Sequence, residues 1–391
     1  MLKLKITCVL AALMAAALPG CAKDGGDTKE VTASSEFTGT LTMVPFSLFE
    51  KYDVYYANPG LVKELNGITG VNSLEDYYQL TAEKRAQFDE GWRETSSVFP
   101  SWHNKADQIE TLAGFSTFAF DRVVLIDSAP PHLTYIAFGN FNEGLIAGKL
   151  AEQGYTEMTY GEHTYYAKGD DFQIDIINPL GRIVKAGMNR VAVLDGILIL
   201  SPTTEDVTAI LDTIDGKSPS VMGNAEYKAL AESLGNPLAA ALTAPERIIT
   251  TEEIQENSSA MKFTMPDGWG QLHGYGTAAL GYRADGETRY FDIALYYTDK
   301  AAAEADGQEI IKRMGNYSSS LALSGDNVPF SDVFQPGEPV VQTITGGAVL
   351  KISCEINTEQ QTGIMLQLGG NGFTMRDLIF LAVNPEEYET D

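Results

Sequence analysis

The chain has 391 residues, with 27 Lys and Arg against 53 Asp and Glu, which gives a formal net charge of −26. So acidic a chain is poorly suited to bind nucleic acid, because phosphate binding requires a basic face. Hydrophobic residues make up 44% of the chain and charged residues 20%, which is typical of globular proteins rather than disordered chains or membrane bundles. Three cysteines exclude a disulfide scaffold, and four scattered histidines lack metal-site spacing. The length favours two folded domains.

The first 20 residues predict a secretory signal peptide. Lys3 and Lys5 provide a positive start, and the apolar stretch Ile6–Leu18 follows. Its thirteen residues are too few to cross a bilayer, which takes about 20 residues of helix. A short apolar run behind basic residues is instead typical of a cleaved signal peptide.

The sequence Leu18-Pro19-Gly20-Cys21 ends this stretch and resembles the lipobox of bacterial lipoprotein precursors. Pro19 departs from the small or β-branched residue that is commoner at its position. The resemblance implies cleavage before Cys21, a diacylglycerol on its sulfur and an acylated amine. Two or three acyl chains hold a protein firmly on a membrane, whereas one chain is marginal. Ala22 stands where an Asp signals inner-membrane retention, so the resemblance implies an extracytoplasmic protein on the outer membrane if the organism is diderm.

Cleavage also removes Lys3 and Lys5, which changes the net charge from −26 to −28. A chain this acidic is repelled by anionic lipid headgroups, so we expect the lipid to hold it at the membrane. Residues 21–40 are expected to form a lipidated flexible tether, because the stretch 24–39 is polar and rich in Gly, Ser and Thr. The predicted partners are the membrane, through the lipid, and an unidentified protein or envelope polymer. No cofactor is predicted.

Four segments share one pattern, in which an apolar strand is followed by a capping residue and an amphipathic helix. A strand that forms a hairpin precedes the second and the fourth segment, and the later hairpin has an Asp-Gly turn. The expected strands, with helix caps in parentheses, are 52–57 (Asn58), 133–138 (Asn142), 196–201 (Thr203) and 290–297 (Asp299), with hairpin partners at 122–127 and 275–283 and further strands at 164–168 and 340–345. Helices are also expected at 73–90 and 224–234, and residues 236–260 indicate a polar connector.

The order strand, helix, hairpin, helix, strand occurs twice in this series. It predicts an α+β fold of two tandem ferredoxin-like (split β-α-β) lobes, each a two-layer sandwich of sheet and helices. The predicted division is a signal peptide at 1–20, the tether at 21–40, a first lobe at 41–195 and a second lobe at 196–391. The alternative is that ordinary strands and helices occur in this order twice by chance. The arrangement resembles uncharacterised exported bacterial proteins with repeated α/β halves, a resemblance that transfers no function.

Few residues point to chemistry. Asp170, Asp171 and Asp175 form an acidic group after the strand that ends at Lys168, and they are weak candidates for calcium ligands. They lack the spacing and the terminal Glu of an EF-hand, so a solvated turn is the simpler interpretation and no metal site is predicted. No catalytic residue is assigned, because the sequence contains no nucleophile elbow, P-loop or dinucleotide fingerprint.

Cys354 lies in the segment Val349–Ile356, where apolar and polar residues alternate. This alternation predicts a strand with Cys354 on its apolar side. We therefore expect a buried, inert thiol rather than a catalytic one.

The 18 tyrosines, several of them in doublets, provide candidate contact residues. Exposed tyrosine is large, stiff and amphipathic, which suits recognition. We expect Tyr135, Tyr290 and Tyr296 at free faces of the two sheets, with ordinary packing in β-strands as the alternative. Together with the anchor, these features predict a non-enzymatic binding or assembly module. A solute-binding lipoprotein of a transporter and, with less support, an exported hydrolase are the alternatives.

Overall fold

The structure is a computed structural model, and it describes residues 35–93, 95, 98–127, 132–243, 268–316, 318–319, 328–357 and 379–383. The predicted signal peptide, Cys21 and residues 22–34 of the predicted tether lie outside the described residues. The predicted flexible tether is wrong at its end, because residues 36–40 belong to a helix, Glu36–Leu41, in which Phe37, Thr38 and Thr40 are buried. The described residues belong to one compact unit. Within these ranges, no helix is both long enough and apolar enough to cross a membrane.

Antiparallel strands form the centre of the structure. They are β1 (Asp53–Ala57), β2 (Phe120–Asp127), β3 (Leu133–Gly139), β4 (Thr156–Tyr160), β5 (His163–Ala167), β6 (Arg190–Leu194), β7 (Ile197–Ser201), β8 (Ala239–Leu242), β9 (Thr277–Asp285), β10 (Thr288–Tyr297), β11 (Ser318–Ser319), β12 (Val328–Pro329), β13 (Phe334–Pro336), β14 (Val340–Ile344) and β15 (Gly347–Ile356). Among the described residues, thirteen of them make one sheet in the order β13-β15-β10-β9-β8-β1-β2-β3-β7-β6-β5-β4, with β14 also on β15. The remaining two strands, β11 and β12, pair with each other.

Helices cover both faces of this sheet. They are α1 (Glu36–Leu41), α2 (Phe46–Phe49), α3 (Pro59–Leu65), α4 (Leu74–Gln79), α5 (Ala82–Arg93), α6 (Ala106–Ala113), α7 (Glu143–Glu152), α8 (Pro179–Val184), α9 (Thr204–Ile214), α10 (Ala225–Leu234), α11 (Lys300–Gly315) and α12 (Phe330–Val333). Residues of α1, α2, α9 and α10 pack on one face, here called the front. On the back, α5 to α8 cover the half with β1 to β7, and α11 and α12 cover the half with β8 to β15. The predicted α+β class is confirmed, but the layers number three rather than two.

Alternation along each strand builds these two cores. In β1, Val54 and Tyr56 face the front core, whereas Tyr55 and Ala57 face the back core. All five residues of β1 are buried, as expected for a strand in the middle of a sheet covered on both sides. Cys354 of β15 is a free, fully buried thiol in the back core, which confirms its predicted place.

The local predictions for helix starts are confirmed at all four caps. The side chains of Asn58, Asn142, Thr203 and Asp299 each accept a backbone N–H from the first turn of the helix that follows. Such a bond satisfies an N–H that has no partner inside the helix, so it fixes where the helix begins.

The two ferredoxin-like lobes are not confirmed. Strand β5, expected in the first lobe, pairs with β4 and β6 instead of β1, and β7, expected in the second lobe, pairs with β3 and β6. The reason lies in β1, whose two edges are filled by β2 and β8, so no edge remains for the last strand of a split β-α-β unit. The predicted boundary between residues 195 and 196 falls in the turn of the β6–β7 hairpin.

A different repetition is present in the sheet. The orders β1-β2-β3-β7 and β8-β9-β10-β15 each contain a strand, an antiparallel hairpin and a further antiparallel strand, and a capped helix (α7 or α11) on the back follows each hairpin. The first strands of these halves, β1 and β8, pair antiparallel in the middle of the sheet. The second half thus begins at Ala239, inside the segment that the sequence indicated as a polar connector.

Candidate functional site

An exposed apolar segment connects β5 to α8 at one end of the sheet. We call residues 168–178 the apolar loop. Four of its large hydrophobic side chains are exposed, namely Phe172 (42%), Ile174 (50%), Ile176 (65%) and Ile177 (92%). Single exposed hydrophobic residues are ordinary, but four within six residues form a patch of the kind that marks an interaction site.

The acidic residues of this loop hold it in place. Asp171 pairs with Arg190 Nη2 at 2.6 Å and accepts hydrogen bonds from the backbone N–H and hydroxyl of Thr204 at 3.1 and 3.0 Å. Asp175 accepts the backbone N–H groups of Ile177 and Asn178, both at 3.1 Å. The bond from Asn178, helped by Lys168 Nζ at 3.3 Å from the carboxylate, lowers the pKa of Asp175.

These contacts show how the candidate calcium ligands Asp170, Asp171 and Asp175 are used in the structure. Asp171 and Asp175 are already engaged by protein donors, and Asp170 contributes its backbone oxygen to a hydrogen bond from Asn189. Across the described part of the chain, no group of three His, Cys, Asp or Glu residues is arranged to hold a metal ion. The contacts of Asp171 and Asp175, and the backbone oxygen of Asp170, hold the loop to its surroundings.

Backbone contacts fix the loop further. Asn189 Nδ2 donates to the oxygens of Asp170 and Gln173 at 3.0 and 2.8 Å, and the N–H of Phe172 donates to Pro202 O at 3.0 Å. Phe172 has a φ of 60°, in the left-handed region that bulky residues rarely adopt. Such a conformation costs about 1–3 kcal/mol and persists only where surrounding contacts determine it.

A buried polar cluster lies beneath the loop, where β3, β7 and α9 meet. Asp206 Oδ2 lies 2.9 Å from His132 Nε2, accepts from Thr134 Oγ1 at 2.6 Å and accepts from Ser201 Oγ at 3.2 Å. The ring of His132 stands between those of Tyr52 and Phe172, with centroid distances of 4.5 and 5.6 Å. The cluster thus connects the helix start directly to the base of the apolar loop.

The cluster contains Ser, His and Asp, but its connections are those of a support rather than a catalytic triad. In a triad the histidine stands between the nucleophile and the acid, bonded to both. Here Ser201 Oγ and His132 Nε2 both approach the same oxygen of Asp206, and Ser201 also accepts the backbone N–H of Thr203 at 3.0 Å. This wiring positions the first turn of α9.

Two further histidines pair with aspartates in the same structural manner. His163 Nε2 lies 2.7 Å from Asp215 Oδ1, and His273 Nδ1 lies 2.7 Å from Asp306 Oδ1. Asp306 is fully buried on α11 and also accepts the hydroxyl of Tyr297 at 3.0 Å. Each of these histidines therefore connects its own segment to a helix or a helix end.

Helix α11 carries a second buried polar stripe. Arg313 is fully buried, donates to the backbone oxygens of Phe380 and Ala382 at 3.2 and 2.9 Å and also bonds Gly270 O. Burial lowers the pKa of Arg313, against the opposing effect of Glu309. Through Asp306 and Arg313, α11 connects residues 268–275 and 379–383 to the back of the sheet. These polar groups therefore stabilise the packing of the two segments.

One buried carboxylate bridges three strands at the front of the sheet. Asp292 of β10 accepts from Arg283 Nε of β9 at 2.7 Å and lies 3.3 Å from Lys351 Nζ of β15. Lys351 in turn donates to the backbone oxygen of Ser233 near the end of α10. The two cations and the helix carbonyl tie this carboxylate to the packing of α10 on the sheet.

The tyrosines expected at contact surfaces are placed differently. Tyr135 and Tyr296 are each only 4% exposed; Tyr135 packs in the back core, and Tyr296 donates its hydroxyl to Gly346 O at 2.9 Å. Burial raises the pKa of Tyr135. Tyr290 is half-buried, with the guanidinium of Arg283 4.0 Å from its ring centre. The expectation of free sheet faces is wrong at Tyr135 and Tyr296, because helices cover both faces.

Two clefts open elsewhere on the surface. One of about 710 Å³ lies among α4, α6 and α7 and is lined by acidic and apolar residues, including Glu75, Tyr78 and Leu145. Another of about 520 Å³ lies at the opposite end of the strands from the apolar loop, beside Arg122 and Phe138. Among the described residues that line them, both clefts contain threonine and carboxylate side chains and neither contains His, Cys or Ser.

No family model matches the chain, and no curated protein matches it either. Among solved structures, the chain is similar to TP0453 in its crystal form I, with 10% identity and a TM-score of 0.35 over 83% of this chain and 97% of that one. Crystal form III of TP0453 gives 10% identity and a TM-score of 0.34 over 82% and 97% of the two chains.

Proposed function

We propose that this chain is a membrane-anchored extracytoplasmic lipoprotein that works as a non-enzymatic binding or assembly module of the cell envelope. Lipidated Cys21 holds the module at the membrane, on the outer membrane in a diderm organism, and the predicted tether gives it freedom to move. The apolar loop is its contact surface, in place of the tyrosines expected from the sequence.

The observation that carries this proposal is the combination of exposure and rigidity in the loop. An exposed apolar patch is unfavourable in water unless a partner covers it. Arg190, Asn189 and Asp175 fix the loop backbone, so little conformational entropy is lost when a partner binds. Because its tip is apolar, the loop suits an apolar partner surface better than a hydrated polymer.

The hydrogen-bond network around Asp206 supports a role in binding rather than in catalysis. The hydroxyl, imidazole and carboxylate groups near the loop bond one another around Asp206 and fix the start of α9. A nucleophile must instead be bonded to a free base and must reach a substrate. The same groups are therefore better explained as supports for a contact loop.

Membrane anchoring is tested by fractionation of cells that produce the Cys21→Ser variant. We expect this variant in the soluble extracytoplasmic fraction, whereas Cys354→Ser, a matched loss of one thiol, stays in the membrane fraction. Mass spectrometry of the parental protein is expected to show an acylated peptide that begins at Cys21. A Cys21→Ser variant that remains equally membrane-bound would contradict the proposal.

A further inference from the structure

We propose that the apolar loop inserts into the interfacial layer of the same bilayer that holds the lipid of Cys21, so that the module lies against the membrane with the loop as its second attachment. This inference deepens the proposed function and rests on its lipid anchor. The juxtaposition that carries it is a group of exposed apolar side chains in a hydrogen-bonded loop, followed closely in sequence by exposed basic residues. The apolar members are Phe172, Ile174, Ile176 and Ile177.

The exposure of the loop increases towards its tip. Ile176 and Ile177 are 65% and 92% exposed, and they stand immediately before Asn178, the cap of α8. An exposed pair of branched aliphatic side chains is suited to the boundary between headgroups and acyl chains, where apolar groups sit about 5–10 Å deep. A partner protein would instead need a cavity shaped to this tip.

The charge around the loop differs from that of the rest of the chain. Residues 168–190 contain four basic and three acidic side chains, a net charge of +1, within a chain whose net charge is −26. Arg182 and Lys185 follow the apolar tip closely and are exposed. Lipid phosphates repel an acidic protein surface. The basic side chains of this segment attract them instead.

The predicted tether is long enough to permit this orientation. Glu36, at the start of α1, accepts from Asn58 at the end of β1, whereas the apolar loop lies near the beginning of β1. The five residues of β1 separate these ends by about 17 Å. A flexible chain of fourteen steps, the number from Cys21 to Ser35, would span roughly 20 Å on average and up to about 45 Å when extended. Such a chain would allow both ends to reach one bilayer.

An environment-sensitive fluorophore on an introduced cysteine tests the insertion. Cys354 is buried and Cys21 carries the lipid, so Ile177→Cys provides the reactive thiol of the lipidated mature protein. Val340→Cys is the matched control, because Val340 is also apolar and 61% exposed. It lies on β14, near the opposite end of the strand order from β5 and the apolar loop. In phosphatidylcholine vesicles, we expect blue-shifted emission and quenching by nitroxide-bearing lipid at position 177 and neither at position 340.

The outcomes separate this inference from the anchor. Protein that sediments with vesicles while both probes stay in water overturns the insertion and leaves the anchor intact. A shift at position 177 that appears only after envelope proteins are added also overturns it, in favour of a protein partner. Protein that does not sediment with vesicles contradicts the proposed lipid anchor at Cys21. In that case a second measurement tests the insertion of the apolar loop independently.

That second measurement uses the mature chain with Cys21→Ser at high lipid concentration. The loop alone is expected to give weak, reversible binding to phosphatidylcholine vesicles. Ile176→Asp together with Ile177→Asp is expected to weaken it by at least about tenfold, because each substitution removes buried apolar area. Val340→Asp is expected to leave binding unchanged. Equal binding by the loop variant and the control contradicts the inference, as does a complete lack of binding by the Cys21→Ser chain.

Discussion

Removal of the Asp206 carboxylate tests whether the polar cluster supports the apolar loop. In Asp206→Ala, His132 loses its carboxylate partner although its side chain is only 12% exposed. Thr134 and Ser201 lose less, because their hydroxyl oxygens lie 3.0 Å apart and can satisfy each other. Loss of a buried carboxylate that is bonded to His132, Thr134 and Ser201 costs about 3 kcal/mol, so we expect the free energy of unfolding to fall by that amount.

Urea unfolding of the mature chain with Cys21→Ser, followed by far-UV circular dichroism, measures this loss. Glu205→Gln is the matched control, since Glu205 precedes Asp206 on α9 and its ion pair with Lys51 is exposed on both sides. We expect the control to change stability by less than about 1 kcal/mol. Equal losses in the two variants would refute the claim that Asp206 has a special supporting role.

The contribution of Asp206 depends on pH in a defined direction. Burial favours a higher pKa, but hydrogen bonds from His132 and Thr134 outweigh it and hold the pKa of Asp206 below its ordinary value of 3.8. Because the pKa is lower in the folded state, the stabilisation is complete above the ordinary value and is lost as the pH falls below it. The difference between the parental chain and Asp206→Ala is expected to shrink below about pH 4. A difference that persists unchanged in acid would contradict this explanation.

Three other substitutions or treatments have definite expected results. Asp171→Asn removes the ion pair with Arg190 and is expected to cost about 1 kcal/mol and to speed proteolysis within residues 168–178; unchanged proteolysis would show that the pair does not hold the loop. Cys354, whose pKa is raised by burial, is expected to resist thiol reagents until urea unfolds the chain, and rapid labelling of the native protein would argue against its burial. Tyr135→Ala is expected to destabilise the fold by about 3–5 kcal/mol, and an unchanged melting temperature would return Tyr135 to the candidate contact residues.

Short-range signals in the sequence predicted the local structure well. The caps at Asn58, Asn142, Thr203 and Asp299 depend on side chains within three residues of the N–H groups they accept, so the sequence contains all of the information. The burial of Cys354 followed from period-2 alternation for the same reason.

Strand pairing could not be predicted in this way, because it depends on contacts between distant residues. Strand β8 consists of three alanines and a leucine, and alanine has low β-propensity. Its place is set by β1, where Tyr55 and Tyr56 pair with Ala241 and Ala240, so that large side chains lie beside small ones. The sequence does contain one signal for the hairpin of β6 and β7. This signal is the dipeptide Asp195-Gly196, which is typical of hairpin turns and in which Gly196 has a φ of 70°.

The sequence reasoning did not predict a contact surface at the apolar loop. It singled out Asp170, Asp171 and Asp175 there as candidate calcium ligands, whereas Asp171 and Asp175 accept hydrogen bonds that hold the loop. The adjacent apolar residues resemble a short buried strand in sequence. Their exposure is decided by the chain around them, above all by Asn189 and Arg190, which hold the loop at the end of the sheet.

Photocrosslinking from position 177 in intact cell membranes tests whether the apolar loop contacts lipid. A photoreactive amino acid replaces Ile177 in the lipidated protein, and the same substitution at Val340 is the control. We expect lipid adducts on the peptide that contains position 177 and none on the peptide that contains position 340. Adducts with water alone at both positions would show that the apolar loop contacts no partner and would contradict both its insertion into the bilayer and its role as a contact surface.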